Sequence, residues 1–284
     1  MTAEVYAAPL DQLLALGDAR PMKPWPDYLA LGIGAEHIPE LIRLATDSQL
    51  HDTHSGGTQI WAPGHAWRAL AQLHAAEAAQ PLVELFSLID ATGDDFVGED
   101  LPEAFGMLGQ GAIPALMAYA ADDTHGLWAR VAAAHSLEKI GTRHPETRET
   151  VAAVLAGQLG LFAQQDPMFN GSLVAYLVDL RAIDAVDVIQ NAFAAGQVAE
   201  LVIGDWQAVQ ARLGLQAQLY GSGPAPRIVK SAAPVRMLSK AARPAPRPQP
   251  SALEQIETGL ARTFTDAESD LVSGPKRKHH RKRK

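Results

Sequence analysis

Leu73-His74-Ala75-Ala76-Glu77-Ala78-Ala79-Gln80-Pro81-Leu82 has a counterpart further along in Leu180-Arg181-Ala182-Ile183-Asp184-Ala185-Val186-Asp187-Val188-Ile189. Leu108-Gly109-Gln110-Gly111-Ala112-Ile113-Pro114-Ala115-Leu116 is the same phrase shortened by one residue. Tyr28–Leu44 offers a fourth version, with Ile38-Pro39-Glu40-Leu41 set against Ile113-Pro114-Ala115-Leu116. Each phrase reads as the end of one helix, a tight turn, and Pro or Ala opening the next. Proline fits the first helical turn, where its missing N–H leaves no bond unmade. A single helical hairpin cannot bury its own apolar face, so neighbours must stack.

Working outward, the apolar spacing from about residue 28 to 215 is helical almost throughout, with Trp67, Leu70, Leu73 and Ala78 on one stripe. The fold expected is therefore all-α. The prolines of the phrases, Pro39, Pro81 and Pro114, are unevenly spaced. That is looser than a regular tetratricopeptide or ankyrin array and closer to an irregular HEAT-like α-solenoid of stacked hairpins. An irregular all-α bundle is the competing architecture. Start and stop signals include Asp100 as a cap before Leu101-Pro102-Glu103, Asn170 as a cap before Leu173 and Tyr176, and Gly141 as a C-terminal stop. The uncharged run Ala104–Ala121 contains Gly106, Gly109, Gly111 and Pro114, so it reads as two helices joined at Gly109-Gln110-Gly111 rather than a membrane span.

Trp61-Ala62-Pro63-Gly64-His65-Ala66-Trp67-Arg68, Asp100-Leu101-Pro102-Glu103-Ala104-Phe105-Gly106, His125–Arg130, Ala134–Ile140 and Gly204-Asp205-Trp206 together resemble bacterial HEAT-like repeat proteins of unknown function. Some of those are described as PBS-lyase-type HEAT repeats. The similarity covers roughly residues 25–215 and implies a helical-repeat fold. Some such proteins end in a SEC-C zinc motif, whose cysteine ligands this chain lacks.

Charge is laid out in two opposed blocks. Residues 1–220 hold 10 Lys and Arg against 27 Asp and Glu, a net of −17, and residues 221–284 hold 14 against 5, a net of +9. Residues 1–220 are read as the helical body and 221–250 as a Pro/Ala-rich linker. Residues 251–272 read as a short amphipathic helix through Leu253, Ile256, Leu260 and Phe264, and 273–284 as a polybasic tail. The tail's Lys276, Arg277, Lys278, Arg281, Lys282, Arg283 and Lys284 are candidate polyanion contacts, with RNA or DNA as the partner; the alternatives are that the tail folds back on the acidic body or only aids solubility. With no cysteine there is no disulfide framework, thiol nucleophile or thiolate metal site. The first basic residue is Arg20, and Glu4 and Asp11 interrupt the N-terminus, so no signal peptide is expected and a cytoplasmic protein without membrane contact is the reading.

Candidate chemistry is sparse. His51, Asp52 and His54, with His65 further along, are a weak zinc set lacking an assured fourth ligand. Asp90-Ala91-Thr92-Gly93-Asp94-Asp95 invites comparison with a calcium loop but has Asp95 and Leu101 where an EF-hand needs glycine and glutamate. It reads as an acidic interhelix loop that could attract basic partners. Arg130, His135 and Glu138 share a helix, where Glu138 beside His135 could do acid–base work. The bland reading is that Arg130 braces neighbouring repeats and His135 packs at a helix seam. Trp61, Trp67, Trp128 and Trp206 read as core or seam residues. No catalytic residue and no cofactor is assigned. The leading expectation is a non-enzymatic scaffold or adaptor binding a protein partner, with the tail as an electrostatic contact. The alternatives are a nucleic-acid- or ribosome-associated protein acting through the tail, and a lyase or metal-dependent hydrolase.

Overall fold

A computed structural model of the chain describes residues 6–51 and 57–215. The linker 221–250, the stretch 251–272 and the tail 273–284 lie outside the described residues, as do Asp52 and His54. Among the described residues the protein is all-α, with no strand. The helices are α1 (Ile38–Ala45), α2 (Ala62–Gln72), α3 (Ala79–Val83), α4 (Ser87–Thr92), α5 (Asp95–Leu108), α6 (Ile113–Ala121), α7 (Leu127–Arg143), α8 (Arg148–Leu159), α9 (Pro167–Asp179), α10 (Val186–Ala194), α11 (Glu200–Ile203) and α12 (Trp206–Leu213).

Their neighbours follow chain order in two rows. Helices α2, α5, α7 and α9 pack each on the next, with α11 and α12 against α9. Helices α1, α3, α6, α8 and α10 form the second row, the outer one in that most of its helices bury fewer of their residues, α6 and α8 lying on α7 and α8 also on α9. The core between the rows is built from Leu70, Phe86, Phe105, Leu116, Leu137, Leu155, Phe169 and Leu173, all buried. Ala132, Ala133 and Ala134 are buried on α7, where small side chains let helices approach on several sides. Trp67 is fully buried, while Trp128 and Trp206 pack partly buried against the core.

The repeated phrase is a repeated backbone device. His74 (φ 52°) and Arg181 (φ 56°) are left-handed at equivalent positions. In both, the next residue donates back five places, Ala75 N to Leu70 O at 3.1 Å and Ala182 N to Leu177 O at 2.9 Å. The left-handed residue itself donates to Ala71 O or Val178 O, completing a Schellman cap. A 3₁₀ turn follows, Ala76–Ala78 or Ile183–Ala185, and leads into the next outer-row helix. Pro39 and Pro114 stand in the first turns of α1 and α6, as the sequence predicts. The stretch Asp95–Ala121 is long and apolar enough to be weighed as a membrane span. It turns instead at Gly109 (φ 77°, ψ −154°), and Gly109–Ala112 joins α5 to α6 as expected.

Three element boundaries differ from expectation. Helix α5 begins at Asp95, not after Asp100, because Gly93 (φ 74°) ends α4 and Asp94 then accepts from Phe96 N and Val97 N. Asp100 is inside α5 and buried. Helix α9 is capped by Asp166, accepting from Met168 N at 2.7 Å, with Pro167 opening the helix. Asn170 lies one turn in, fully buried, where its Nδ2 donates to Phe162 O (3.0 Å) and Gln197 O (2.7 Å). Gly141 does not stop α7, which runs on to Arg143. A Cβ there would stand 2.9 Å from Leu180 Cδ2 and 3.3 Å from Val151 Cβ, so glycine serves close helix approach.

Candidate functional site

Helix α7 carries His135, Glu138, Lys139 and Thr142 at spacings of three and four, which places them on one stripe. Helix α5 adds Glu103 on one side, and α9 adds Tyr176 and Asp179 on the other. Lys139 Nζ stands 2.9 Å from Glu103 Oε1, and Arg143 Nη2 stands 3.1 Å from Glu103 Oε2. The His135 ring lies parallel to that of Tyr176, 7° between planes and 5.3 Å between centroids, an offset stack. Thr142 Oγ1 donates to Glu138 Oε1 at 2.6 Å. Glu138 Oε2 stands 3.9 Å from both His135 Nε2 and Lys139 Nζ, beyond direct hydrogen bonding but within reach of a bridging atom.

Desolvation governs the protonation of this group. It pushes the His135 imidazole down to about 4, and the charge of Lys139 acts the same way. Burial pushes the Glu138 carboxyl up, against the Thr142 hydrogen bond and Lys139. Burial likewise raises the Tyr176 hydroxyl far above the usual phenol range. For Glu103 burial acts upward, but the Lys139 hydrogen bond and the charges of Lys139 and Arg143 outweigh it and hold the carboxyl low. The outcome is a half-exposed ridge with a neutral imidazole on an aromatic face, one underpaired carboxyl, and a Glu103–Lys139–Arg143 ion network.

Arg130 does not join this group. It lies near the other end of α7, where Nε donates to Ala120 O (2.9 Å), Nη2 reaches Gln165 Oε1 (3.3 Å), and the guanidinium sits 4.4 Å over the Phe169 ring. It thereby braces α6 and α9 against α7. The three residues grouped by sequence thus divide between a brace, Arg130, and the partly buried ridge, His135 and Glu138. The acidic loop is similarly taken up by structure. Asp90 accepts from Trp128 N (3.3 Å) and Ala129 N (2.8 Å) at the start of α7, and Asp94 caps α5.

The weak zinc set is not brought together where it is described. His51 Nε2 meets Ala45 O at 2.8 Å. His65 is fully buried and has both ring nitrogens engaged, Nε2 with Gly17 O (2.9 Å) and Nδ1 with the Tyr28 hydroxyl (2.7 Å). Because a carbonyl only accepts, Nε2 carries the proton and Tyr28 donates to Nδ1. Among the described residues no three His, Asp or Glu side chains are grouped to hold a metal ion.

One constellation escaped sequence reasoning. Arg68, 0% exposed, meets Asp100 through Nε (2.8 Å) and Nη2 (2.6 Å), while Trp67 Nε1 donates to Asp100 Oδ2 at 2.8 Å. Arg68 Nη1 donates to Ala19 O at 2.8 Å and the guanidinium lies 4.9 Å over Trp25. Gln72 adds bonds to Tyr28 N and Pro26 O. Together they fasten residues 17–28 over α2, which is why α2 is almost wholly buried. The signal in the sequence was an arginine within an otherwise apolar helix, but its carboxylate partner stands on a different helix.

Comparison with family models, with curated proteins and with solved structures finds no match to this chain.

Proposed function

We propose that this protein is a non-enzymatic helical-repeat scaffold that holds a protein partner against the ridge formed by α5, α7 and α9. The observation that carries the reading is the ridge itself. Glu103, His135, Glu138, Lys139 and Tyr176 come from three helices packed side by side in one row and form one partly exposed network of charge and aromatic surface. Tyrosine is among the residues enriched at the anchors of protein interfaces, and charged pairs beside it weigh on binding when a partner desolvates them.

The test is recovery of partners from native cytosol by the full-length chain, with and without nuclease, beside the Lys139→Glu/Tyr176→Ala double variant. The expected result is a stoichiometric, nuclease-resistant partner that the variant loses at least tenfold while its far-UV spectrum is unchanged. Equal recovery by both proteins would move the interface off this ridge.

A second reading rests on Lys276–Lys284, where seven of nine residues are Lys or Arg. If all seven met phosphates of duplex DNA, binding would fall with salt at a log–log slope of about −6. Deleting residues 273–284 would then abolish binding, whereas under the scaffold reading it spares the ridge partner.

A further inference from the structure

The outer row bears an apolar groove of about 290 Å³ between α6 and α8. Met117 and Ala120 form one wall, Ala153 and Gly157 the other, and Leu137 of α7 and Leu173 of α9 the floor. Met117 is 45% exposed. A Cβ added at Gly157 would meet no atom within 4 Å. Glycine there, in the last turn of α8, is thus not needed for internal packing. Its effect is to keep the groove open. The volume lies at or below the lower end of small-molecule sites and suits a few aliphatic side chains.

Exposed acidic residues lie close in sequence to the groove lining, although Asp122 also accepts from Thr124 N and Oγ1. Asp122 and Asp123 follow α6 directly and are exposed, and Glu149 lies one turn before Ala153 on the same stripe of α8. An occupant should therefore carry aliphatic side chains with basic residues beside them. The chain supplies such a segment just beyond α12, Arg227-Ile228-Val229-Lys230-Ser231-Ala232-Ala233-Pro234-Val235-Arg236-Met237. The apolar stripe Leu253, Ile256, Leu260 and Phe264 fits less well, because Glu254, Glu257 and Asp266 would meet like charge. A dozen residues separate Leu215 from Ile228, enough to span about 40 Å when extended. A segment tethered so closely has an effective concentration on the order of millimolar, so even weak affinity fills the groove.

We infer that residues 227–237 of this same chain dock into the α6–α8 groove, Ile228 and Val229 on its floor and Arg227, Lys230 and Arg236 toward Asp122, Asp123 and Glu149. This is independent of the scaffold reading, since the ridge lies on the other row. A scaffold so covered would hold its basic segment against the body until a competitor displaced it.

Amide exchange read by mass spectrometry on full-length monomer at low micromolar concentration tests it. Exchange across 228–237 should be slowed about tenfold relative to a free peptide of that sequence. Gly157→Leu fills the groove at a position with open space, and should restore the free-peptide rate in 228–237 while leaving amides of α5 and α7 unchanged. From the other side, Ile228→Ser/Val229→Ser should raise the rate of Met117 oxidation by peroxide several-fold. Free-peptide exchange in the wild type, or slowing that survives Gly157→Leu, would overturn the assignment. So would slowing that grows with protein concentration alongside a dimer, which would give the groove to a second copy.

Discussion

Arg68 takes a full positive charge into the core of α2, and the physics of that choice dictates what substitution there would do. Removing a charge from water costs several kcal/mol, recovered only where geometry and hydrogen bonds are good. Here the guanidinium has both oxygens of Asp100, the Ala19 carbonyl and the Trp25 face. Asp100→Ala would leave that charge buried and unpaired, so a loss of about 3–5 kcal/mol in urea unfolding is expected. The Arg68→Met/Asp100→Leu double variant should recover only part of it, because no orphaned charge remains but the buried Trp67 Nε1 loses its acceptor. His135 gives a second test at this scale. Its imidazole is 24% exposed and its pKa falls from about 6.5 in the unfolded chain to about 4 in the folded one. Between those values the unfolded chain binds the extra proton, so the stabilisation is complete above about pH 6.5 and is lost as pH falls toward 4. Lys139 and Glu103 face the ring and act in opposite senses, with desolvation the larger influence. Unfolding midpoints measured from pH 7.5 to 4 should drop with a slope that His135→Phe reduces, since the ring stack on Tyr176 is kept and the titration removed. His65, also held below its ordinary value by burial, adds slope of the same sign, while Glu138 and Asp179, raised by burial, oppose it.

Among the elements, the left-handed residues that close α2 and α9 make a matched experiment. A non-glycine residue in this conformation costs roughly 1–2 kcal/mol, and glycine relieves it. Arg181 is exposed, so Arg181→Gly is expected to stabilise the protein by about 1 kcal/mol in urea unfolding. His74→Gly should gain less, because the His74 Nδ1 contact with Met107 O at 2.8 Å is lost with the side chain. The similarity of these two phrases was legible in the sequence, since a Schellman turn followed by a capped helix is set by local residues. Boundaries were less so. Asp94 and Asp100 both precede apolar runs, and what separates them is Gly93, whose positive φ ends α4 and hands the capping role to Asp94. Gly141 carried the composition of a stop signal, yet its use depends on Leu180 and Val151 pressing on α7 from elsewhere in the chain. The ridge shows the same division. His135 and Glu138 could be placed on one face of a helix by counting, but Glu103 and Tyr176 join them only because α5 and α9 are the neighbours of α7.

For the molecule as a whole, the order of packing predicts where it opens. Helix α7 packs on α4, α5, α6, α8 and α9, so its backbone cannot be exposed without separating both rows. Helix α11 is a single turn against α9, its own Leu201 is 79% exposed, and α12 closes the described part of the body. In stacked architectures each unit is held by its immediate neighbours, so a terminal unit loses one of its two supports. Opening should therefore begin at α11 and α12 and reach α7 last, and exchange of buried amides measures the free energy of each such opening. Native-state exchange across a urea series should place α5 and α7 at the global unfolding free energy. Residues 200–213 should exchange through an opening several kcal/mol below it, with little dependence on urea because little surface is uncovered. An irregular bundle with one indivisible core would instead give a single urea-dependent isotherm shared by α7 and α12. That outcome would remove the repeat-like picture of the body.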